Sequence, residues 1–479
     1  MLIRVLITGN AELDEADQIV WCQQFHLGYG ADLPLYTWLQ ALFFAIFGTN
    51  ILAVSLLRSV LLFVVFFFTS LNAREITGCD KCAVAAPASL MLIPMIFWES
   101  QRILTNMVLA MALVAVSIFL FIRLYRTGRV YYYFLFGLST GLGMLTKYNF
   151  GIFLTALIIA ACSSKVLRDF VVNRRIIIAL AAFLLVISLP SFWVITHLDA
   201  AMAKAVKLHP GQDAGLLKGY LSGFAELAKS VAGFLIFIVP FIYAIFAKAP
   251  KIAKESKENK ELRNLLGKTV IISISICVLL VLFFHVTHFK SRWLLPLLFP
   301  IPLYIIALVQ ERVGVPQLRM VTASAVIIAF LVLVAMPARI VLASYIGSQG
   351  RMNFPYDLLA IKLRSSGFSR GVIVTDSNLL GGNLRLRFPE SSVTVTTGPI
   401  PFTLTAGVPL LIVWDATGSS KVPGQLFSVA GSSVSFDEGK IRYVEAPSLY
   451  FPRAKVHLGF ILIQPGVQKG SQPSTNGKQ

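Results

Sequence analysis

Ten apolar runs recur through the first 340 residues, and they restrict the fold more than any other feature of the chain. They cover Ile51–Leu71, Ala83–Trp98, Thr105–Ile122, Tyr131–Leu145, Phe150–Cys162, Ile176–Ile195, Val231–Phe246, Val270–Phe284, Leu294–Val309 and Val321–Met336. A helix needs ~20 residues to cross the ~30 Å hydrocarbon core, so each run reads as one span, the shorter ones completed by interfacial side chains. Leu35–Phe47 is apolar too, but it follows Pro34 and ends at Gly48, which fits a helix lying in the membrane interface. Met1–Gly9 is too short to cross and is expected to be the tail of a span that begins upstream. The predicted fold class is mainly α, a polytopic helical bundle of about ten to eleven spans. Composition agrees: 56% hydrophobic residues against 14% charged, with a mean hydropathy of +0.76, exclude an ordinary soluble domain.

Charge orients the bundle. Arg74 with Lys81, Arg123 with Arg126 and Arg129, Lys165 through Arg175, the run Lys248–Lys268, and Arg312 with Arg319 occupy alternate loops, and the loops between them hold fewer cations. The positive-inside rule assigns the richer set to the cytoplasm. Parity then places residues 10–50, and everything after Ala338, outside. The net charge of +19 points first to these loops and second to an anionic substrate. Because the cations are scattered between spans, nucleic acid is not an expected partner; membrane lipids are. Lys248–Lys268 reads as a solvated connector. Five cysteines make no disulfide framework, and Cys79-Asp80-Lys81-Cys82 lacks the second ligand pair a metal site needs.

After Met336 the character changes. Gly371–Asp376, Ser392–Thr396, Pro409–Trp414 and His457–Ile463 are strand-like, with helical candidates at Tyr356–Arg364 and Asn378–Arg385. The expected organisation is a membrane domain over 1–340 that includes a first outer loop at 10–50. A small extracytoplasmic α/β domain follows over 341–465, then a disordered polar tail over 466–479.

Chemistry-bearing residues collect on the outer side. Glu12-Leu13-Asp14-Glu15-Ala16-Asp17 puts four carboxylates within six residues. Such a cluster is a solvated loop, or a base for an acceptor hydroxyl or amine, or a holder of a divalent cation facing a phosphate. In the last case Asp14 and Glu15 are the metal candidates. If the segment is helical, Asp14 and Asp17 share a face; Asp32 is a weaker member of the set. Cations stand on the same side. Lys147 and Tyr148 lie in a tight turn between two spans, and His285, His288, Lys290 and Arg292 fill a short loop that ends on Trp293. Lysine and arginine at that depth either snorkel to headgroups or clamp a lipid phosphate. Glu99 and Arg102, three apart in the next outer turn, pair with each other or brace the carboxylates. Gly137-Leu-Ser139-Thr-Gly141 matches a nucleophile elbow but sits inside a span, where small residues four apart let helices approach closely.

Asp14-Glu15, Pro34-Leu35-Tyr36-Thr37-Trp38, Leu145-Thr146-Lys147-Tyr148 and His288-Phe289-Lys290-Ser291-Arg292-Trp293-Leu294-Leu295-Pro296 occur in an order and sidedness that resemble GT-C glycosyltransferases. The nearest branch is family-39-like, comprising protein mannosyltransferase relatives and the lipid A aminoarabinose transferase. The resemblance runs from Ala11 to about Ala338. It implies an inverting hexosyl- or pentosyltransferase that takes a polyprenyl-phosphate-linked sugar and passes it to a lipopolysaccharide, another glycan or a protein. It further implies a bacterial inner membrane with site and C-terminal domain facing the periplasm. Asp14 matches the family's catalytic carboxylate and Glu15 its neighbour, with Lys147 and the His288–Arg292 loop facing the lipid phosphate. Leu33-Pro34 stands where relatives often have two prolines, and Thr105-Asn106 where they often carry an aspartate. The rival reading is a transporter or flippase of an anionic lipid-linked sugar, which should show mid-span ionisable groups or repeated halves.

Overall fold

The computed structural model describes residues 2–203, 216–252, 254–347, 350–396, 398, 407–419, 421–426 and 438–464. The helices that bear on function are, in chain order, α1 (Leu13–Trp21), α2 (Leu35–Phe47), α3 (Ile51–Thr77), α4 (Asn106–Thr127), α5 (Val130–Met144), α6 (Asn149–Cys162), α7 (Ile176–Thr196), α8 (Leu216–Leu235), α9 (Lys257–Phe284), α10 (Val315–Val341), α11 (Tyr356–Ser365) and α12 (Asn378–Arg387). The strands are β1 (Val372–Thr375), β2 (Ser392–Val395), β3 (Leu410–Asp415), β4 (Arg442–Ser448) and β5 (Phe451–Ile463). The chain forms two compact units. One comprises Met1–Leu6 and Gln24–Arg339, the other Ile7–Gln23 and Ile340–Gln479. The outer loop expected as one piece at 10–50 is therefore divided, and its carboxylate segment belongs with the C-terminal residues. The tail expected over 466–479 lies outside the described residues.

In the first unit every apolar run of the sequence is helical. Among the described residues α3, α4, α7, α9 and α10 are long and apolar enough to cross a membrane. Three bent pairs bring the number of candidate spans to eight: Asp80–Leu90 with Met95–Arg102 (72°), Leu217–Leu235 with Ile238–Phe246 (40°), and Ser291–Leu298 with Pro300–Leu308 (47°). The remaining two runs, α5 and α6, have 15 and 14 residues. At ~1.5 Å per residue neither covers the ~30 Å hydrocarbon layer. This hairpin carries Lys147 in its turn.

Packing explains why the bundle closes. α5 lies on α7 through Gly137 and Gly141, where an added Cβ would fall 2.0 Å from the Ala179 carbonyl oxygen and 2.9 Å from Val186. The G-x-S-x-G string is thus a helix-packing surface, and Ser139 is held by the Phe136 carbonyl at 3.1 Å and by Ser117 at 3.2 Å. Asn72 of α3 donates to the Ala115 carbonyl of α4 (2.8 Å), replacing a hydrogen bond that lipid cannot offer. α2 is inside out. Its polar side chains Thr37 and Gln40 are buried while Leu42, Ile46 and Phe47 are exposed, as an interfacial helix in lipid requires.

The lysine-rich connector is exposed at Lys248, Lys251, Lys254, Lys257, Lys260 and Lys268, as a solvated segment should be, and it is also anchored at several points. Residues from Lys257 onward belong to α9, and those before it are tied down: Arg263 to Glu255 at 2.7 Å, Gln310 to Glu255 at 2.7 Å, Lys251 to Glu311 at 2.8 Å. Arg263 and Glu255 pair within the run, while Gln310 and Glu311 outside it hold Glu255 and Lys251 to the bundle end.

The second unit is a five-stranded sheet of order β2-β1-β3-β5-β4, with β1 parallel to β2 and β3 and the β5 pairings antiparallel. α12 crosses from β1 to β2, and α1 packs on α12. Burial pushes the carboxyl of Asp376, just past β1, above its ordinary range, and Asp415 adds to the effect.

Candidate active site

In the first unit three segments converge on the turn between α5 and α6. Leu35 N–H donates to the Leu145 carbonyl (3.2 Å), so the start of α2 is fastened to the turn. Lys147 Nζ donates to Asp32 Oδ1 at 2.6 Å, with the Asp32 side chain 5% and the Lys147 side chain 24% exposed. A carboxylate so desolvated holds its charge only beside a cation, and the short hairpin sets the cation at that depth. Asp32 therefore serves as the partner of Lys147. Asn149, one residue past Tyr148, donates through Nδ2 to the Trp293 carbonyl and joins the turn to the 285–293 loop. Tyr148 itself is exposed.

The 285–293 loop is built by its neighbours. His285 ends α9 with φ +53°, a left-handed conformation unusual for a residue with a Cβ. Its Nε2 lies 2.9 Å from the Tyr220 hydroxyl on α8. Farther along α8, Ser222 donates to the Thr287 carbonyl and Ser230 to the Phe289 carbonyl, both at 3.3 Å. Lys290 Nζ is 5.8 Å from the Trp293 ring, and the His288 ring meets the same indole edge-on at 6.2 Å. Lys147, His288 and Lys290 thus stand on segments joined through Asn149 and Trp293, with Arg292 next to Trp293 in the chain. His285 is turned to α8 instead.

Glu99 and Arg102 pair with each other (3.2 Å), and the Arg102 carbonyl accepts from Arg58 Nη1 at 3.4 Å. Arg58 and Gln40 escaped the sequence reading. Arg58 is 4% exposed, seven residues into α3; a lone cation within an apolar run was the signal available. Gln40 is fully buried, and neither its Oε1 nor its Nε2 has a hydrogen-bond partner among the described residues. Nothing in the sequence marks Gln40 beyond its polarity on an apolar helix.

In the second unit the carboxylate segment is helical, as α1. Glu12 and Glu15 form a capping box in which Glu15 Oε2 accepts from the Glu12 N–H at 2.9 Å, and Glu15 is fully buried. Asp14 and Asp17, one turn apart, stay on the partly exposed side of α1. The buried side rests on α12 where Gly382 has no side chain: a Cβ there would sit 2.7 Å from Ala16 Cα. Asn383 holds Ala11 at both its N–H (2.8 Å) and its carbonyl (3.1 Å). Arg387, itself paired with Asp357 at 3.0 Å, reaches Asn10 Oδ1 at 2.7 Å and the Gly9 carbonyl at 3.0 Å. Gln23 closes the segment by exchanging two hydrogen bonds with Val393 of β2 (2.7 and 2.8 Å). Among the described residues no group of three or more His, Cys, Asp or Glu stands together to hold a metal ion. With Glu15 turned into the cap, Asp14 alone of the two metal candidates retains solvent access.

Residues 32–195 match the dolichyl-phosphate-mannose-protein mannosyltransferase family. Two curated relatives match nearly the full length. Lipopolysaccharide core galacturonosyltransferase RgtB of Rhizobium johnstonii is 30% identical over 460 residues, 94% of this chain and 91% of that protein. RgtA of the same organism is 26% identical over 485 residues, 97% and 95% of the two chains. Among solved structures, ArnT from Cupriavidus metallidurans, both bound to undecaprenyl phosphate and in the apo state, shares the fold. The TM-score is 0.59 over 96% of each chain at 12% identity. Fold and sequence together define a GT-C-type integral membrane glycosyltransferase. The chain belongs to the family of the lipopolysaccharide core galacturonosyltransferases RgtA and RgtB. With transferases on every side of these likenesses, the transporter reading finds no support.

Proposed function

We propose that this enzyme moves a uronic acid of the galacturonate class from a polyprenyl phosphate to the lipopolysaccharide core, on the periplasmic face of a bacterial inner membrane. The observation that carries this reading is the near full-length likeness to RgtB, together with the joined cation-bearing segments of the membrane unit. The named activity of RgtA and RgtB supports the sugar and the acceptor, and the ligand of the ArnT structure supports the donor lipid.

A polyprenyl phosphate leaves sluggishly unless its growing charge is neutralised. Lys147, Lys290 and Arg292 supply that neutralisation by charge-assisted hydrogen bonds. Asp14 is assigned as the base: it removes the proton from the acceptor hydroxyl as the oxygen attacks the anomeric carbon. The bond from that carbon to the phosphate oxygen breaks, and the electron pair departs with the lipid phosphate, inverting the anomeric centre. Glu15 positions this base through the capping box, and Asp17 accompanies it on the accessible face. Any divalent cation would be taken by Asp14 with groups of the substrate.

The test is Asp14→Asn with membrane insertion verified, followed by mass spectrometry of lipid A and core. Loss of one hexuronate residue is expected, and an unchanged core beside an active wild type removes Asp14 from the chemistry. A phosphatase fused after Gln479 should be active; a silent fusion with an active cytoplasmic reporter at the same place overturns the orientation.

A further inference from the structure

We infer that the end of α5 remote from Lys147 carries a second anion site, which takes a phosphate-bearing group at the membrane face assigned to the cytoplasm. Arg74 and Glu75 near the end of α3, Arg123 and Arg126 near the end of α4, Tyr132 at the start of α5, and Asp80 line a cavity of about 500 Å³. That volume suits a small polar headgroup.

The cavity is a built one. Arg123 donates through Nε to the Tyr132 hydroxyl (3.1 Å) and through Nη1 to Glu75 Oε1 (3.0 Å), which fixes its guanidinium plane. Glu75 Oε2 lies 3.6 Å from Arg126 Nε, and Glu258 approaches the same nitrogen at 3.4 Å from α9. Arg74 pairs with Asp80 through Nε at 3.0 Å, and the Asp80 side chain is 83% exposed. The terminal nitrogens of Arg74 and Arg126 have no protein partner among the described residues. Guanidinium groups present paired N–H donors in the geometry a phosphate accepts, and an exposed aspartate yields its partner at little cost. Three arginines and two carboxylates line the cavity, and Glu258 meets Arg126 from α9, so what the cavity offers an anion is the unused guanidinium N–H groups of Arg74 and Arg126.

The wall toward the bilayer is apolar. Phe119 lines it, and a ladder of rings continues from Phe119 through Phe68 (5.4 Å) and Phe67 (5.5 Å) to Phe63 (5.7 Å). Phe67 and Phe63 are exposed. A basic mouth above an apolar track fits the head and chain of an anionic phospholipid. The shared chemistry is the phosphate, whether on a lipid or free in solution.

The test uses the purified full-length enzyme in detergent. Its thermal midpoint is followed against dioleoyl-phosphatidylglycerol, dioleoyl-phosphatidylcholine and inorganic phosphate, for wild type, Arg74→Gln and Arg74→Gln/Arg126→Gln. Phosphatidylglycerol is expected to raise the midpoint saturably, with an apparent affinity roughly tenfold weaker in the double variant. Native mass spectrometry should show the bound lipid lost with the same substitutions, and sugar transfer by the detergent-solubilised double variant should stay within about twofold of wild type. If inorganic phosphate gives the same substitution-sensitive shift, the site stands and its ligand is a soluble phosphate. Stabilisation unchanged by the substitutions, or absent with all three additives, overturns the site.

Discussion

Gly382→Ala offers the sharpest test of how α1 presents its carboxylate. The new methyl carbon would meet Ala16 Cα and the Ala16 carbonyl oxygen at 2.7 Å, whereas ordinary contact begins at 3.4 Å, so α1 must retreat by about 0.7 Å. Both atoms are backbone of a helix latched at Ala11 and Gln23, and no side-chain rotation relieves the clash. Overpacking of this kind costs about 1–3 kcal/mol, leaving a folded enzyme of lowered midpoint. A base displaced by nearly 1 Å from its reacting hydroxyl loses on the order of 10²-fold in rate. The assay is sugar transfer from lipid-linked donor to core acceptor in proteoliposomes, with kcat and donor KM measured separately. We expect kcat to fall by roughly that factor with donor KM unmoved. Gly381→Ala is the control: its methyl meets side-chain ends of Val393 and Thr375 at 2.9 and 3.0 Å, on the sheet side of α12. It should lower stability and spare kcat. A Gly382→Ala enzyme with wild-type kcat, or an equal loss in both variants, refutes the reasoning.

Glu15→Gln should keep both activity and stability, because an amide oxygen still accepts from Glu12, while Glu15→Ala should lose about 1 kcal/mol in chemical denaturation. Lys147→Met strands the buried Asp32 charge and should destabilise by about 3–5 kcal/mol. The double variant Lys147→Met/Asp32→Leu should recover much of that stability but not the donor KM, a split read by thermal unfolding and kinetics. Asp376 has a carboxyl pKa raised above its unfolded value, so its ionisation opposes folding at neutral pH and the penalty disappears as pH falls through the folded pKa. Asp376→Asn should therefore raise the thermal midpoint at pH 7, with the gain shrinking as pH falls toward 4.

Much of this architecture is visible in the linear chain because hydrophobic length and turn chemistry are local. Each apolar run became helix, and three strand-like stretches lie within a residue of β1, β2 and β3. The stretch His457–Ile463 proved to be half of β5, whose first half holds Pro452, Arg453 and Lys455, and the polar β4 went unseen for the same reason. β4 is the sheet's edge strand and is largely exposed, whereas Arg453-Ala454-Lys455-Val456-His457-Leu458 of β5 does alternate polar with apolar residues and was a signal passed over. What the sequence hides is partnership at long range. Glu15 reads as chemistry until the Glu12 N–H is seen to hold it, and Asp32 reads as a spare acid until Lys147 is found beside it. Gly382, Asn383 and Arg387 look like ordinary residues in and just past a helical stretch, yet they bind residues more than 360 positions away. The bland reading of Gly137 to Gly141 held because helix packing alone demands small residues there.

The second unit draws its residues from both extremes of the chain, and that arrangement imposes a timetable on biosynthesis. Ile7–Gln23 is made before the 316 residues from Gln24 to Arg339, and the sheet and α12 that receive it follow only after those. At translation speeds of about 5–20 residues per second, the leading segment waits roughly 15–60 s without its fold. A nascent enzyme therefore cannot dock its carboxylate helix until α12 and β2 are made. Premature termination upstream of α12 leaves the carboxylate helix without the surface it packs on.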